Sequence, residues 1–256
     1  MSIRAISNLV ITFGLVSLPV KVFSATNSEN KIEFRQVNPE TGNRVKQQLV
    51  DGGTGEVVAR SALVKGYEIG KDQFVTFTTE ETKAVEAEAS KAIVVAQFVP
   101  SGSIDPTLVE KPYFIGPDKA GERAYELLRR ALVKEDKVGI GQYAMRGKQY
   151  LVALRGTEDG ILMYQLRYRH EVRTWEEVPV GPRPAVQDVE VDLACQIIRM
   201  TAADEIDHTK FKDTVYEGLR AMVDAKVDGK TFTVPESSAP APAMDLMAAL
   251  KASLGG

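Results

Sequence analysis

Three short segments, at 138–145, 149–155 and 160–168, follow one another almost without pause. Each is rich in β-branched and aromatic residues. Arg146-Gly147-Lys148 and Gly156-Thr157-Glu158-Asp159-Gly160 separate them. Closely spaced runs joined by Gly-containing turns predict an antiparallel meander. Together with the strands expected earlier in the chain, the meander predicts a small barrel, and so a mainly β fold with some helix.

The earlier strands begin at the N-terminus. Residues 3–22 have an apolar run interrupted by Thr12, Gly14 and Ser17, with no small-residue cleavage site after it, which is not how a signal peptide reads. They predict a strand bent or bulged at Gly14 and ended near Pro19. Ile32 and Phe34 alternate with polar residues, Asn38-Pro39-Glu40-Thr41-Gly42-Asn43 is a turn by residue type, and 45–50 returns, so residues 31–50 predict a hairpin. Residues 57–67 are expected to lead back to the main body, and 74–77 to form a short strand. An acidic helix is expected over 79–89 with Thr79 as its cap. Residues 92–99 read as a buried strand stopped by Pro100.

The clearest helix follows Lys111-Pro112-Tyr113-Phe114-Ile115-Gly116-Pro117. Asp118 can cap it, and Ala120, Ala124, Leu127, Leu128, Ala131 and Leu132 form one apolar face. After Gln187 the chain turns helical. Val189, Leu193, Ile197 and Ile198 make one stripe, and Phe211, Val215, Leu219, Met222 and Val223 make another over 209–226. Residues 236–243 are a Pro/Ala/Ser linker. A terminal helix over 244–254 offers Met244, Met247, Leu250 and Leu254 at amphipathic spacing. The expected domains are therefore a β core over 1–186, a helical arm over 187–230, a linker over 231–243 and a terminal helix over 244–256.

No catalytic constellation stands out. His170 and His208 are the two histidines and Cys195 the one cysteine, and none has metal-ligand spacing to another. Neither a catalytic residue, a metal nor a cofactor is predicted. A lone cysteine suits a reduced, cytoplasmic setting. No run of 18 apolar residues predicts a membrane span.

The net charge is −3, but it is unevenly spread. Residues 111–173 hold 13 Lys/Arg against 8 Asp/Glu, whereas residues 174–256 hold 8 against 14. A phosphate-binding surface needs local rather than total positive charge. Cations recur in or beside strands and turns: Arg4, Lys21, Lys31, Arg35, Arg44, Lys46, Arg60, Lys65, Arg146, Lys148, Arg155, Arg167, Arg169 and Arg173. Cationic heads on a shaped β surface would neutralise phosphates without reading sequence. Arg146 and Lys148 flank one glycine, so a single turn would present both. Tyr143, Tyr150, Tyr164 and Tyr168 fall in the meander without a basic–aromatic signature and are expected in the core or an interface.

Several blocks, in order, resemble the bacterial Ku family. They are Phe13-Gly14-Leu15-Val16-Ser17-Leu18-Pro19-Val20-Lys21, Val64-Lys65-Gly66-Tyr67-Glu68, Lys111-Pro112-Tyr113-Phe114-Ile115-Gly116-Pro117, residues 124–132, and Gln165-Leu166-Arg167-Tyr168-Arg169-His170-Glu171-Val172-Arg173. Lys212-Asp213-Thr214 and the Ala225-to-Lys230 segment follow in the same order. The resemblance implies a Ku-type barrel core, a bridge over about 31–60 that arches across a duplex, and a helical arm that embraces a second copy. It implies a homodimeric ring that holds ends of linear double-stranded DNA near the nucleoid, without catalysis. It also implies that 244–254 recruits the ATP-dependent DNA ligase of non-homologous end joining. Many members carry a Lys-rich extension, which Gly255-Gly256 does not match. Two other functions fit the residues: a single-stranded DNA-binding barrel, and a metal-dependent nuclease.

Overall fold

The computed structural model describes residues 3–27, 32–85, 90–119, 121–145 and 147–229. Seven strands close into a barrel: β1 (Ser7–Phe13), β2 (Val16–Ser24), β5 (Ser90–Pro100), β6 (Val109–Pro117), β7 (Lys137–Met145), β8 (Lys148–Gly156) and β9 (Ile161–Leu166). Around the wall the order is β1-β2-β6-β9-β8-β7-β5, and β5 returns to β1. The seam between β1 and β5 is parallel, while the other six pairings are antiparallel. The predicted meander is β7-β8-β9.

The N-terminal segment is two strands rather than one bent strand. Gly14 and Leu15 form a two-residue turn, and Phe13 pairs with Val16. Gly14 has φ of +55°, the left-handed conformation such hairpin turns demand and glycine adopts without steric cost. Pro19 sits just beyond the β2–β6 ladder, which begins at Val20, so that ladder asks no N–H of it.

Alternation along the strands fills the barrel. Leu9, Ile11, Leu18, Val20, Val22, Ile93, Ile115, Val152, Leu154, Ile161 and Met163 are all buried in one cluster. On β7 the inward positions include two glycines. A Cβ at Gly141 would lie 2.7 Å from the Val94 carbonyl oxygen. Its absence lets β5 approach where the β5–β7 register shifts.

One mouth of the barrel is covered by α2 (Glu122–Lys134), whose Leu128 and Leu132 are buried in the barrel core. The Tyr125 hydroxyl donates to the Ile115 carbonyl (2.6 Å) and accepts from the Ile161 N–H (2.8 Å). Arg129 donates to the Thr157 carbonyl (2.6 Å) and pairs with Glu126 (2.7 Å). Gly121, not Asp118, occupies the position before the helix. The Asp118 carboxylate instead takes Lys21 (2.9 Å) and the Lys119 N–H (2.8 Å). Among the described residues the opposite mouth is open as a pocket lined by Tyr113, Tyr143, Tyr150 and Gln165.

Between β2 and β5 the chain leaves the barrel. Residues 35–58 run out and back with bridges at Val37–Arg44 and Val50–Val57. β3 (Lys65–Gly70) then pairs with β4 (Gln73–Phe77) as a separate two-stranded sheet instead of rejoining the main wall. The helix α1 (Thr79–Val85) is capped by Thr78, one residue before the expected Thr79. The Thr78 hydroxyl accepts from the Glu81 N–H, and Glu81 accepts the Thr78 N–H in return. No residue of 35–77 is buried.

The chain divides into two units, 1–29 with 35–174 and 30–34 with 175–256. The second contains α3 (Asp188–Thr201) and α4 (Thr214–Val227), the latter capped by Asp213 through the Tyr216 N–H (2.8 Å). Neither helix has a buried residue. Val189, Ile198, Phe211 and Val215, expected on apolar faces, are exposed.

Candidate nucleic-acid interface

The predicted cations divide by what already holds them. Lys21 projects from β2 into its ion pair with Asp118, whose carboxyl is held below the usual carboxylate range, chiefly by that hydrogen bond. Arg167 is half-buried and donates to the Val109 carbonyl (3.2 Å). These two have structural work inside the barrel wall. The meander's α2 neighbours behave likewise. Glu126 holds both Arg129 and Arg130, and its carboxyl is drawn down to about 2 by those guanidinium hydrogen bonds.

The other predicted cations among the described residues are exposed: Arg4, Arg35, Arg44, Lys46, Arg60, Lys65, Lys148, Arg155, Arg169 and Arg173. Arg35, Arg44 and Lys46 lie on the 35–58 excursion, Arg60 begins a short 3₁₀ turn, and Lys65 opens β3. Five of the cations thus ride on the arm that buries nothing. Lys31 and Arg146 lie outside the described residues, as do Met244, Met247, Leu250 and Leu254.

The barrel cations do not form one cluster. Lys148 and Arg155 stand at opposite ends of β8, about 23 Å apart at ~3.3 Å per residue. They also face opposite ways. Lys148 shares the register of the inward Tyr150, Val152 and Leu154, whereas Arg155 lies on the outer face. Lys148 therefore edges the open mouth. Arg155 belongs to the end covered by α2. Arg169 follows β9 in the 3₁₀ turn Arg169–Glu171, beside the open mouth's Tyr168 and Glu171.

The tyrosines of the meander are split between two environments. Tyr143 is buried and stacks on Tyr150, ring centroids 5.2 Å apart. Burial pushes the Tyr143 hydroxyl up to about 12. Tyr168 stays half-exposed, with His170 stacked on it at 5.7 Å. No continuous aromatic platform of the kind a single strand would climb is formed by these residues.

Sequence patterns gave no hint of the polar group at the open mouth. Gln165 is buried on β9, and its Nε2 donates to Glu110 Oε2 of β6 (2.8 Å). The two residues are 55 apart in sequence and meet only because β6 and β9 are neighbours. Among the described residues no group of three or more His, Cys, Asp or Glu could hold a metal ion. Among the same residues no helix is long and apolar enough to cross a membrane.

The chain matches known proteins over nearly its whole length. A family model described as the Ku70/Ku80 beta-barrel domain matches residues 12–193. The non-homologous end joining protein Ku of Paraburkholderia phymatum is 38% identical over 261 residues, spanning 100% of this chain and 84% of that protein. The protein of the same name from the archaeon Archaeoglobus fulgidus is 36% identical over 95% of both chains. The one from Mycobacterium tuberculosis is 32% identical over 98% of this chain and 94% of its own.

Proposed function

The chain belongs to the Ku family, and from that premise we propose that it binds the ends of double-stranded DNA, independently of sequence, in non-homologous end joining. It acts by holding, with no bond made or broken. The relatives are named for end joining, which supports the pathway. The arm supports the mode of binding. Residues 35–77 carry Phe74, Tyr67, Ile69 and Val57 at 58–67% exposure and bury none of them. A segment built this way is stable only against another surface, because exposed apolar groups of this size gain nothing in water.

A second copy is the surface proposed. The helices α3 and α4 lack a core of their own in the same way, so a homodimer would cover both. In the proposed ring, exposed cations of the arm and of the barrel meet phosphates, and base edges go unread. Residues 244–254 dock by their apolar spacing in a groove of the ATP-dependent ligase and bring it to the break. The setting is the cytoplasm, at the nucleoid.

One gel-shift series separates the alternatives. Linear duplex should be retained, while the same duplex as a sealed circle and as single strands should not. Retention of the sealed circle equal to that of the linear form overturns end binding. A preference for single strands points to a single-strand binder, and magnesium-dependent shortening of the DNA points to a nuclease.

A further inference from the structure

The open mouth of the barrel is a cup of about 420 Å³, within the size range of small-ligand sites. Its wall carries the stacked Tyr143 and Tyr150, with Tyr113 alongside. Gln165, only 8% exposed, lines it together with Glu110. A carboxylate can only accept, so the side of the Gln165 amide turned to Glu110 must be the NH₂. That leaves the Gln165 carbonyl oxygen and the remaining lone pairs of Glu110 as two neighbouring acceptors. Lys148 and Lys111 are exposed and also line the cup, as does the Glu171 carboxylate.

Flat aromatic faces, paired acceptors and two lysines form the complement of a nucleotide. The half-buried rings of Tyr150 and Tyr113 suit a base face, with buried Tyr143 backing Tyr150. The acceptors suit an exocyclic amine, as a carboxylate does for the amino group of cytosine or an amide oxygen for that of adenine. Lys148, at the start of β8, suits a phosphate. We propose that this cup receives one unpaired nucleobase bearing an exocyclic amine, its amine on Glu110 and Gln165 and its phosphate at Lys148. Thymine would turn a carbonyl oxygen toward the same acceptors and is disfavoured. For its source of bases the inference rests on the end binding proposed above. An unpaired base could come from a DNA overhang or from a free nucleotide, and both are tested.

The full-length protein is titrated by fluorescence anisotropy with three short duplexes: blunt, with one 3′-overhanging dA, and with one 3′-overhanging dT. Binding of dAMP alone is followed by ligand-observed NMR. The dA overhang should bind about tenfold tighter than the dT overhang, the scale of one stacked and hydrogen-bonded base. Tyr150→Ala and Glu110→Gln should each erase that preference and leave blunt-end affinity unchanged. Glu110 is exposed, so its variant reports even if loss of the Tyr143–Tyr150 stack unfolds the other. Equal affinity for dA and dT overhangs, or a preference that survives Glu110→Gln, overturns the inference. Failure to bind blunt duplex overturns end binding instead. In that case a dAMP signal lost in Glu110→Gln upholds the cup for free nucleotides, and no dAMP signal removes it.

Discussion

A methyl group at Gly156 tests how closely α2 seats on the barrel. An alanine Cβ there would lie 2.7 Å from the Arg129 carbonyl oxygen, 2.9 Å from Leu132 Cβ and 3.1 Å from Val133 Cγ2. Ordinary carbon contacts are about 3.5–4.0 Å, so the methyl intrudes on three atoms of the helix at once. Two of them are backbone or Cβ and cannot rotate away. Overpacking of this kind costs about 1–3 kcal/mol. The φ of Gly156 is not left-handed, so alanine adds no backbone strain, and it restricts the unfolded chain for a gain of about 0.4–1 kcal/mol. The net loss is centred on about 1 kcal/mol and reaches roughly 2.6 kcal/mol. If α2 lifts off instead, Leu128 and Leu132 are uncovered and the loss grows by roughly 1.5–3 kcal/mol for each. Gly102→Ala is the control, because nothing lies within 4 Å of its Cβ. Urea unfolding followed by circular dichroism, at one fixed protein concentration, should show a lower midpoint for Gly156→Ala with an unchanged slope. Gly102→Ala should match or slightly exceed the parent. A Gly156→Ala midpoint at or above the parent's would show that α2 is not held against β8 as described.

Replacing Arg146 and Lys148 together by Glu should weaken duplex binding. It should also flatten the log–log dependence on salt by about 0.9 for each phosphate no longer neutralised, and an unchanged slope would remove the β7–β8 turn from the interface. Deleting residues 244–256 should leave end binding intact and abolish stimulation of the joining ligase; equal stimulation refutes the docking role. Tyr143 sets an alkaline limit. Its hydroxyl titrates near 12 when folded against an ordinary 10, so its protonated form stabilises the fold fully below pH 10. That contribution, roughly 2–3 kcal/mol for two units, disappears as the pH rises through 12. Tyr143→Phe should remove that part of the alkaline decline, and parallel pH curves for parent and variant would contradict it.

The meander was legible because alternation and Gly-rich turns are local signals, and β7, β8 and β9 fall where the residues put them. The first hairpin was hidden by its turn. Leu15 is apolar yet fully exposed, so residues 13–16 read as continuous strand when the chain in fact reverses there. The pairing of β3 with β4 was missed because all their residues are exposed, so no buried face distinguishes a wall strand from a free-standing sheet. Among the cations, sequence named the candidates but could not sort them. Lys21 is taken by Asp118, and Arg167 by a carbonyl on a neighbouring strand, both through contacts about 58–97 residues apart in sequence. The family was legible from the order of its blocks, whereas the Gln165–Glu110 cup depends on which strands become neighbours.

The parallel seam has a consequence for how the molecule is made. The first hairpin needs partners on both sides, β5 for one edge and β6 for the other, and neither exists until the whole arm has left the ribosome. At about 5–20 residues per second, translation from Ser24 to Ser90 takes roughly 3–13 s. Hairpins form in about 1–10 μs, so this one waits roughly a million-fold longer than it takes to fold, with both backbone edges unpaired. Its vulnerability to sticking to other nascent chains is therefore set by the length of the arm rather than by the stability of the finished barrel.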